Sequence, residues 1–289
     1  MNYEGDIIRP PSEADSIILQ VTVGCSHNRC TFCGAYKDKK FRIRSEEEVL
    51  ENIAFAAQYC GNQKRVFLAD GDVLILSQKR LTALFKRIKK HLPQVTRIAL
   101  YGNARAIRSK SVEDLLELQH LGLHRIYMGL ESGDNTILAA VKKDETDHSM
   151  IMAAELVRKT GIFLSVTVLL GVAGKHLSIQ HAKETARVLS RMAPKQIAAL
   201  CLMPLQNTEL GIQYASGEFQ LPNARGMLLE LRELLQGIQC SPVQFMANHA
   251  SNYLPLSGRL PRDRERMLNG IEQALLGKQS LVEERFRAL

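Results

Sequence analysis

Cys25, Cys30 and Cys33, in the run Thr22-Val-Gly-Cys-Ser-His-Asn-Arg-Cys-Thr-Phe-Cys33, place three soft ligands in one short segment after an apolar stretch, with no fourth cysteine nearby. Thiolates select zinc, copper(I) or iron-sulfur clusters, and a structural zinc or an electron-carrying cluster is normally closed by four protein ligands. Three thiolates leave one metal position open. An open iron on a 4Fe-4S cluster can bind a substrate or cofactor directly, which points to chemistry at the cluster rather than to a structural staple. His27 lies inside the first gap and offers the alternative, a zinc site of three cysteines and one histidine. Its closeness to Cys25 and Cys30 is cramped for a tetrahedral structural site.

Cys60, Cys201 and Cys240 are isolated, which argues against a disulfide framework and reads as small buried hydrophobes. With 289 residues and 45% hydrophobic content the chain can bury a full core. Its apolar runs are too short to span a bilayer, and Met-Asn-Tyr-Glu-Gly-Asp at the start has acidic residues where a leader would have basic ones. A cytoplasmic location and no membrane partner are expected. The net charge of +8 is concentrated in Lys37 to Arg44, just after the cysteines, and in Arg259 to Arg266. Such patches favour anionic partners: phosphates, nucleic acid or an acidic electron-transfer protein. No aromatic interleaving accompanies them, so solvated faces are the simpler reading, and a zinc-stapled nucleic-acid binder is the alternative outside enzymes.

These side chains need a scaffold. From about residue 16, short β-branched runs alternate with amphipathic stretches, the pattern of βα units and a parallel sheet. Strands are predicted over 17–23, 65–69, 97–101, 124–128, 163–170 and 196–202. Ser45 with Glu48 reads as a capping box, Ser77 and Ser111 cap the next helices, and further helices are predicted near 147–160 and 178–192. Six such units predict an α/β fold, a partial (β/α)6 barrel of the triosephosphate-isomerase type over residues 16–220. Residues 221–289 are predicted to be a mostly helical C-terminal extension covering the barrel, with helices near 221–237 and 262–276 and a short strand over 243–247.

In parallel barrels, function collects in the loops after the strands. Those loops carry the cysteines, Asp70-Gly71-Asp72, Tyr101-Gly-Asn-Ala-Arg105, Gly129-Leu-Glu-Ser-Gly133, Gly171-Val-Ala-Gly174 and Met203-Pro-Leu-Gln-Asn-Thr208. Singly, Asp-Gly-Asp suits an ordinary turn and Glu131 suits a helix cap. Their order after a three-cysteine loop gives them a common purpose. The later run Asn248-His-Ala-Ser-Asn-Tyr253 places polar side chains where they could line the open side, and His249 and Tyr253 are its candidate catalytic residues.

With Phe32 before the last cysteine and Gly24 before the first, the triplet resembles the cluster loop of the radical S-adenosylmethionine (SAM) superfamily; the usual spacing there is C-x3-C-x2-C, against C-x4-C-x2-C here. The resemblance covers about residues 16–220. It looks closest to the branch holding the oxygen-independent coproporphyrinogen dehydrogenases, the methylthiotransferases and the catalytic domain of the elongator acetyltransferase. It implies that Cys25, Cys30 and Cys33 hold three irons of a 4Fe-4S cluster and that the fourth iron chelates the amino and carboxylate groups of SAM. It implies, further, that Glu131, with Ser132, holds the ribose hydroxyls. Asp70-Gly71-Asp72 stands where relatives carry a Gly-Gly-Glu-like turn for the SAM amino group, and Asn103 and Arg105 match residues near the carboxylate or sulfonium. Gly171 falls in the adenine-side segment, which lacks the glutamate of some relatives, and Met203 joins the cofactor-binding candidates. The implied activity is reductive cleavage of SAM, with an electron from a flavodoxin or ferredoxin type donor, to a 5′-deoxyadenosyl radical that abstracts hydrogen from an unidentified substrate, for which the basic patches suggest an anion. A transferase that adenosylates or methylates its substrate is the alternative among enzymes.

Overall fold

The computed structural model describes residues 1–239 and 242–288; the expectation for Cys240 therefore lies outside the described residues. The chain passes through β1 (Ile17–Gln20), β2 (Thr22–Val23), β3 (Arg42–Ile43), α1 (Glu46–Tyr59), β4 (Arg65–Ala69), α2 (Gln78–His91), β5 (Arg97–Tyr101), α3 (Ala104–Arg108), α4 (Val112–His120) and β6 (Leu123–Glu131). It continues through α5 (Asn135–Ala140), α6 (Asp147–Thr160), β7 (Phe163–Leu170), α7 (Gly174–Met192), β8 (Gln196–Cys201), α8 (Glu209–Ser216), α9 (Ala224–Gly237), β9 (Val243–Ala247), β10 (Leu256–Leu260) and α10 (Arg264–Leu275).

All strands except β2 and β3 form one eight-stranded sheet whose order is chain order. The pairs β1–β4, β4–β5, β5–β6, β7–β8 and β8–β9 are parallel, and β10 runs antiparallel to β9. This is the predicted α/β architecture, a partial barrel; among the described residues no pairing closes the sheet into a full one. No helix of the described residues is long and apolar enough to cross a membrane.

Contacts divide the chain into two compact units. The first holds Met1–Asn28, Ala35–Met128 and Glu155–Leu164. Alternation along its strands puts Ile18, Phe67, Ala69, Ala99, Tyr101 and Tyr127 into one cluster, with Phe67 and Tyr101 edge to face at 5.1 Å. Val66, Leu68, Ile98 and Leu100, on the other face, are fully buried. The caps form as read from the sequence: Ser45 and Glu48 exchange both bonds of a capping box, Ser111 and Asp114 do the same, and Ser77 accepts from the Arg80 amide. The expected first strand is split. Its last two residues leave the main sheet to pair as β2 with β3, Thr22 against Ile43 and Val23 against Arg42, so the base of the cysteine loop is clamped by a small ladder.

The second unit holds Arg29–Gly34, Gly129–Ala154 and Ser165–Leu289. Its helices α7 and α9 pack together, and α9 buries Met227, Leu228, Leu231, Leu234 and Leu235 on one stripe, with Glu230 among them. A further core of Ile137, Val141, Leu169, Val172, Leu202 and Leu210 receives Phe32. In the region after residue 220, β9 falls on the expected short strand, and a second strand, β10, joins it and the helices expected there. β10 went unread because Ser257-Gly258-Arg259 carries no β-branched residue, and an edge strand is fixed by one partner only.

Candidate active site

In the first unit the Asp70-Gly71-Asp72 turn after β4 lies against the start of the cysteine loop. The Gly71 amide donates to the Gly24 carbonyl at 3.2 Å. A side chain at Gly71 has no room: its Cβ would stand 3.0 Å from Cys25 Cβ and 2.9 Å from the Tyr36 ring, so glycine is what lets Cys25 approach the turn. Asp70 accepts from Gln20 Nε2 at 3.0 Å and from the Tyr36 hydroxyl at 3.3 Å, and its amide donates to Thr22 Oγ1. Burial raises its carboxyl above the ordinary range. Asp72 Oδ2 accepts from Ser26 Oγ at 2.6 Å and Asn103 Nδ2 at 2.7 Å, while its Oδ1 is buried without a hydrogen-bond partner. Asn103 is also the N-cap of α3, so both ends of its amide are committed, and Arg105 stands exposed on that helix.

In the second unit the Cys30–Cys33 segment is fixed by its neighbours. The Thr31 amide donates to Val141 O at 3.0 Å, Thr31 O accepts from the Leu210 amide at 2.9 Å, and Asn207 Nδ2 donates to Gly34 O at 3.1 Å. Glu131 ends β6 with a positive φ of 64° and forms an ion pair with Lys143 at 2.9 Å. The carboxylate folds back over Gly129, where a Cβ would collide with Glu131 Oε1. Ser132 is fully buried; its hydroxyl meets His181 Nδ1 at 2.8 Å and accepts from the Asp134 amide at 3.0 Å. The Gly171 amide donates to Glu230 Oε1 at 2.7 Å and its carbonyl accepts from the Gly174 amide at 3.0 Å, so both backbone groups of this adenine-side candidate have partners within the unit. Met203 is half-buried just beyond β8.

The 248–253 run is also in this unit. His249 Nδ1 accepts from the Ser251 amide at 3.1 Å, and burial lowers its pKa, so the ring is held neutral. Asn252 Nδ2 donates to Ala199 O, and the Cys201 thiol, pushed up to about 12 by burial, donates to Asn252 Oδ1 at 3.2 Å. The Tyr253 hydroxyl donates to Glu284 at 2.6 Å, and the Arg287 guanidinium stacks 3.9 Å over its ring. Much of this run therefore ties the end of β8 to the C-terminal segment. The basic run after the cysteines is likewise largely occupied within its own unit: Lys39 donates to Asp6 O, and Arg42 pairs with Glu4 and Glu48.

A sequence profile of the Radical SAM superfamily matches residues 19–189, from β1 through most of α7. The chain belongs to the radical SAM superfamily. Members of that superfamily use a 4Fe-4S cluster and SAM. A radical SAM methyltransferase of Kitasatospora setae, solved with cobalamin and a 4Fe-4S cluster bound, superposes with a TM-score of 0.57 at 17% identity, over 69% of this chain and 39% of its own. Coproporphyrinogen III oxidase of Escherichia coli gives 0.55 at 15% identity, over 76% of this chain and 50% of its own. The archaeal Elp3 of Methanocaldococcus infernus gives 0.52 at 13%, over 92% and 64%. An uncharacterized methyltransferase of Pyrococcus horikoshii is 24% identical over 156 residues, which are 53% of this chain but only 32% of that protein. The chain thus spans about a third of its curated relative, and at these identities the structures speak for the fold.

The residues present suit the superfamily's cofactors. None of the five described cysteines is in a disulfide, and the donor set of Cys25, Cys30 and Cys33 is soft, as iron-sulfur binding requires. The unsatisfied Asp72 Oδ1 is an acceptor placed for a donor such as an ammonium. Among the described residues, no group of three or more His, Cys, Asp or Glu is gathered as a single-ion site.

Asp72 also supplies a pH test. Burial raises its folded-state pKa to about 6, Ser26 and Asn103 opposing the shift. A raised carboxyl pKa means that the folded protein binds the proton more tightly than the unfolded chain. The penalty is absent below about pH 4, grows as pH rises to about 6 and is complete above it, at roughly 2–3 kcal/mol. Asp72→Asn is expected to raise the melting temperature of cofactor-free protein at pH 7 and to leave it unchanged at pH 4, as measured by thermal melts; an equal shift at both would show that ionisation is not the cause.

Proposed function

We propose that this enzyme cleaves SAM reductively and directs the resulting radical at a carbon–hydrogen bond of an unidentified substrate. The observation that carries the reading is the Gly71 contact, which packs Cys25 against a turn presenting an unsatisfied carboxylate oxygen. In this reading Cys25, Cys30 and Cys33 supply the three protein ligands of the cluster. When bound, cluster and SAM supply the one-electron carbon–sulfur cleavage that yields methionine and the 5′-deoxyadenosyl radical. The protein's own groups orient and shield. Asp72 Oδ1 accepts from the SAM ammonium, with Asp70 and Gly71 shaping the turn. Asn103 steadies Asp72, and Arg105 lies toward the carboxylate. Glu131, held by Lys143, accepts from the ribose hydroxyls, with Ser132 behind it. Gly171 and Met203 shape the adenine side. His249 and Tyr253 belong to the substrate side, where a neutral imidazole can orient without adding charge.

The proposal keeps residues 16–220 as the catalytic barrel and 221–289 as its cover. It also keeps a flavodoxin or ferredoxin type donor and a cytoplasmic location, the last in keeping with Cys60 and Cys201, neither of which is in a disulfide. A second reading, methyl transfer, is favoured by the names of two relatives. Anaerobically reconstituted protein given SAM and a strong reductant is expected to release 5′-deoxyadenosine and methionine in equal amounts. S-adenosylhomocysteine as the main product would replace the first reading by the second, and release of neither would defeat both.

A further inference from the structure

Two buried side chains, Glu230 and His181, have none of the roles above and lie behind residues that do. Glu230 of α9 is completely buried, as is its neighbour His181 of α7. Glu230 Oε1 accepts from the Gly171 amide at 2.7 Å and lies 3.4 Å from His181 Nε2, and its Oε2 accepts from the Ser178 hydroxyl. On its other side His181 meets Ser132 Oγ at 2.8 Å, and Ser132 Oγ accepts from the Asp134 amide. Thr185, one helical turn on, accepts from the Gly133 amide at 2.9 Å, and Gln180 donates to Asp134 at 2.7 Å. A continuous run of buried polar contacts, hydrogen bonds except for the 3.4 Å approach of Glu230 to His181, therefore joins the turn after β7 to the turn after β6.

We infer that Glu230 is a positioning residue for the adenosine half of SAM: from α9 it fixes the Gly171 turn directly and, through His181, the turn that carries Glu131 and Ser132. The inference rests on the reading that these two turns hold the nucleoside. A buried carboxylate is costly and persists only where donors surround it. Here two donors do so, the Gly171 amide and the Ser178 hydroxyl, with His181 Nε2 packed 3.4 Å away. Burial pushes His181 down to about 4, so the ring is neutral. The Gly171 amide is the decisive contact, because a hydroxyl can rotate to a new partner and a buried amide cannot. Met227, one turn before Glu230, lies where a Gly171 side chain would be, its Cε nearest, so α9 grips this turn by shape as well as by a hydrogen bond.

The test separates the two halves of SAM. Glu230→Met keeps the shape and removes the acceptor, whereas Glu230→Gln keeps an oxygen for the Gly171 amide and can donate to Ser178. In anaerobically reconstituted protein, calorimetry is expected to show 5′-deoxyadenosine binding about ten- to a hundredfold weaker in Glu230→Met, and within about threefold of wild type in Glu230→Gln. Methionine affinity and iron content should stay unchanged in both. Thr185→Val, which strips the Gly133 amide of its acceptor, should weaken the nucleoside in the same direction and decides the matter if Glu230→Met does not fold. Unchanged nucleoside affinity in the folded variants, or equal loss of nucleoside and methionine, overturns the inference while the site reading stands. Wild-type protein that binds neither ligand overturns the site reading and the inference with it.

Discussion

Cys30→Ala is expected to abolish the brown cluster chromophore, the bound iron and SAM cleavage together. The expectation is chemical rather than structural. The Cys30–Cys33 segment is held by the Val141 and Leu210 backbones and by Phe32 in its apolar socket, none of which involves the Cys30 thiol. An alanine there leaves the loop in place and removes one of three thiolates, and a cluster with two protein ligands is not retained. Cys201→Ala supplies the contrast: that thiol is buried and donates to Asn252, its ionisation is suppressed, and its removal should leave iron and colour intact. Iron and sulfide analysis with the visible spectrum reads both variants. A Cys30→Ala protein that keeps colour and cleavage would end the assignment, stoichiometric zinc in the wild type would restore the zinc alternative, and loss of cluster in Cys201→Ala would mean that the ligands are wrongly assigned.

The contrast between what the sequence disclosed and what it hid follows the range of the interactions. β4 and β5 fall on the expected residues because four consecutive apolar positions after an arginine are a local signal, and Ser45, Ser77 and Ser111 cap because capping is decided within four residues. The cysteine loop announced its chemistry for the same reason. Lys143 was missed as the partner of Glu131 because α5 and a tight reversal bring it back, and nothing local marks the pairing. Glu230 left a signal that was not used: a carboxylate inside the Met227, Leu231, Leu234 stripe of α9, where only a buried partner could justify it. The basic run 37–44 suggested an anionic partner by composition, yet Glu4 and Glu48 already meet Arg42, and only the folded chain shows that a charge is spent.

Glu131→Gln should weaken SAM binding by about ten- to a hundredfold while leaving the cluster in place. Glutamine is the informative replacement, because residue 131 holds a positive φ of 64° and alanine there would mix altered chemistry with altered backbone freedom. In the native chain the carboxylate is bent over Gly129 and fixed by Lys143 at 2.9 Å, both side chains being largely buried. That arrangement prepays the ordering of a flexible side chain and leaves the remaining lone pairs of a charged acceptor for the ribose hydroxyls. Losing the charge removes charge-assisted hydrogen bonds of roughly 1.5–3 kcal/mol, which is the stated fold-change. Lys143→Met separates holding from binding: it frees Glu131 without removing its charge, so the loss in affinity should be smaller than in Glu131→Gln. Calorimetric titration of reconstituted protein with SAM measures both. Equal affinities for wild type and Glu131→Gln would leave the carboxylate as a brace between β6 and the α5 reversal, bound to Lys143 for the sake of the fold and not for the nucleoside.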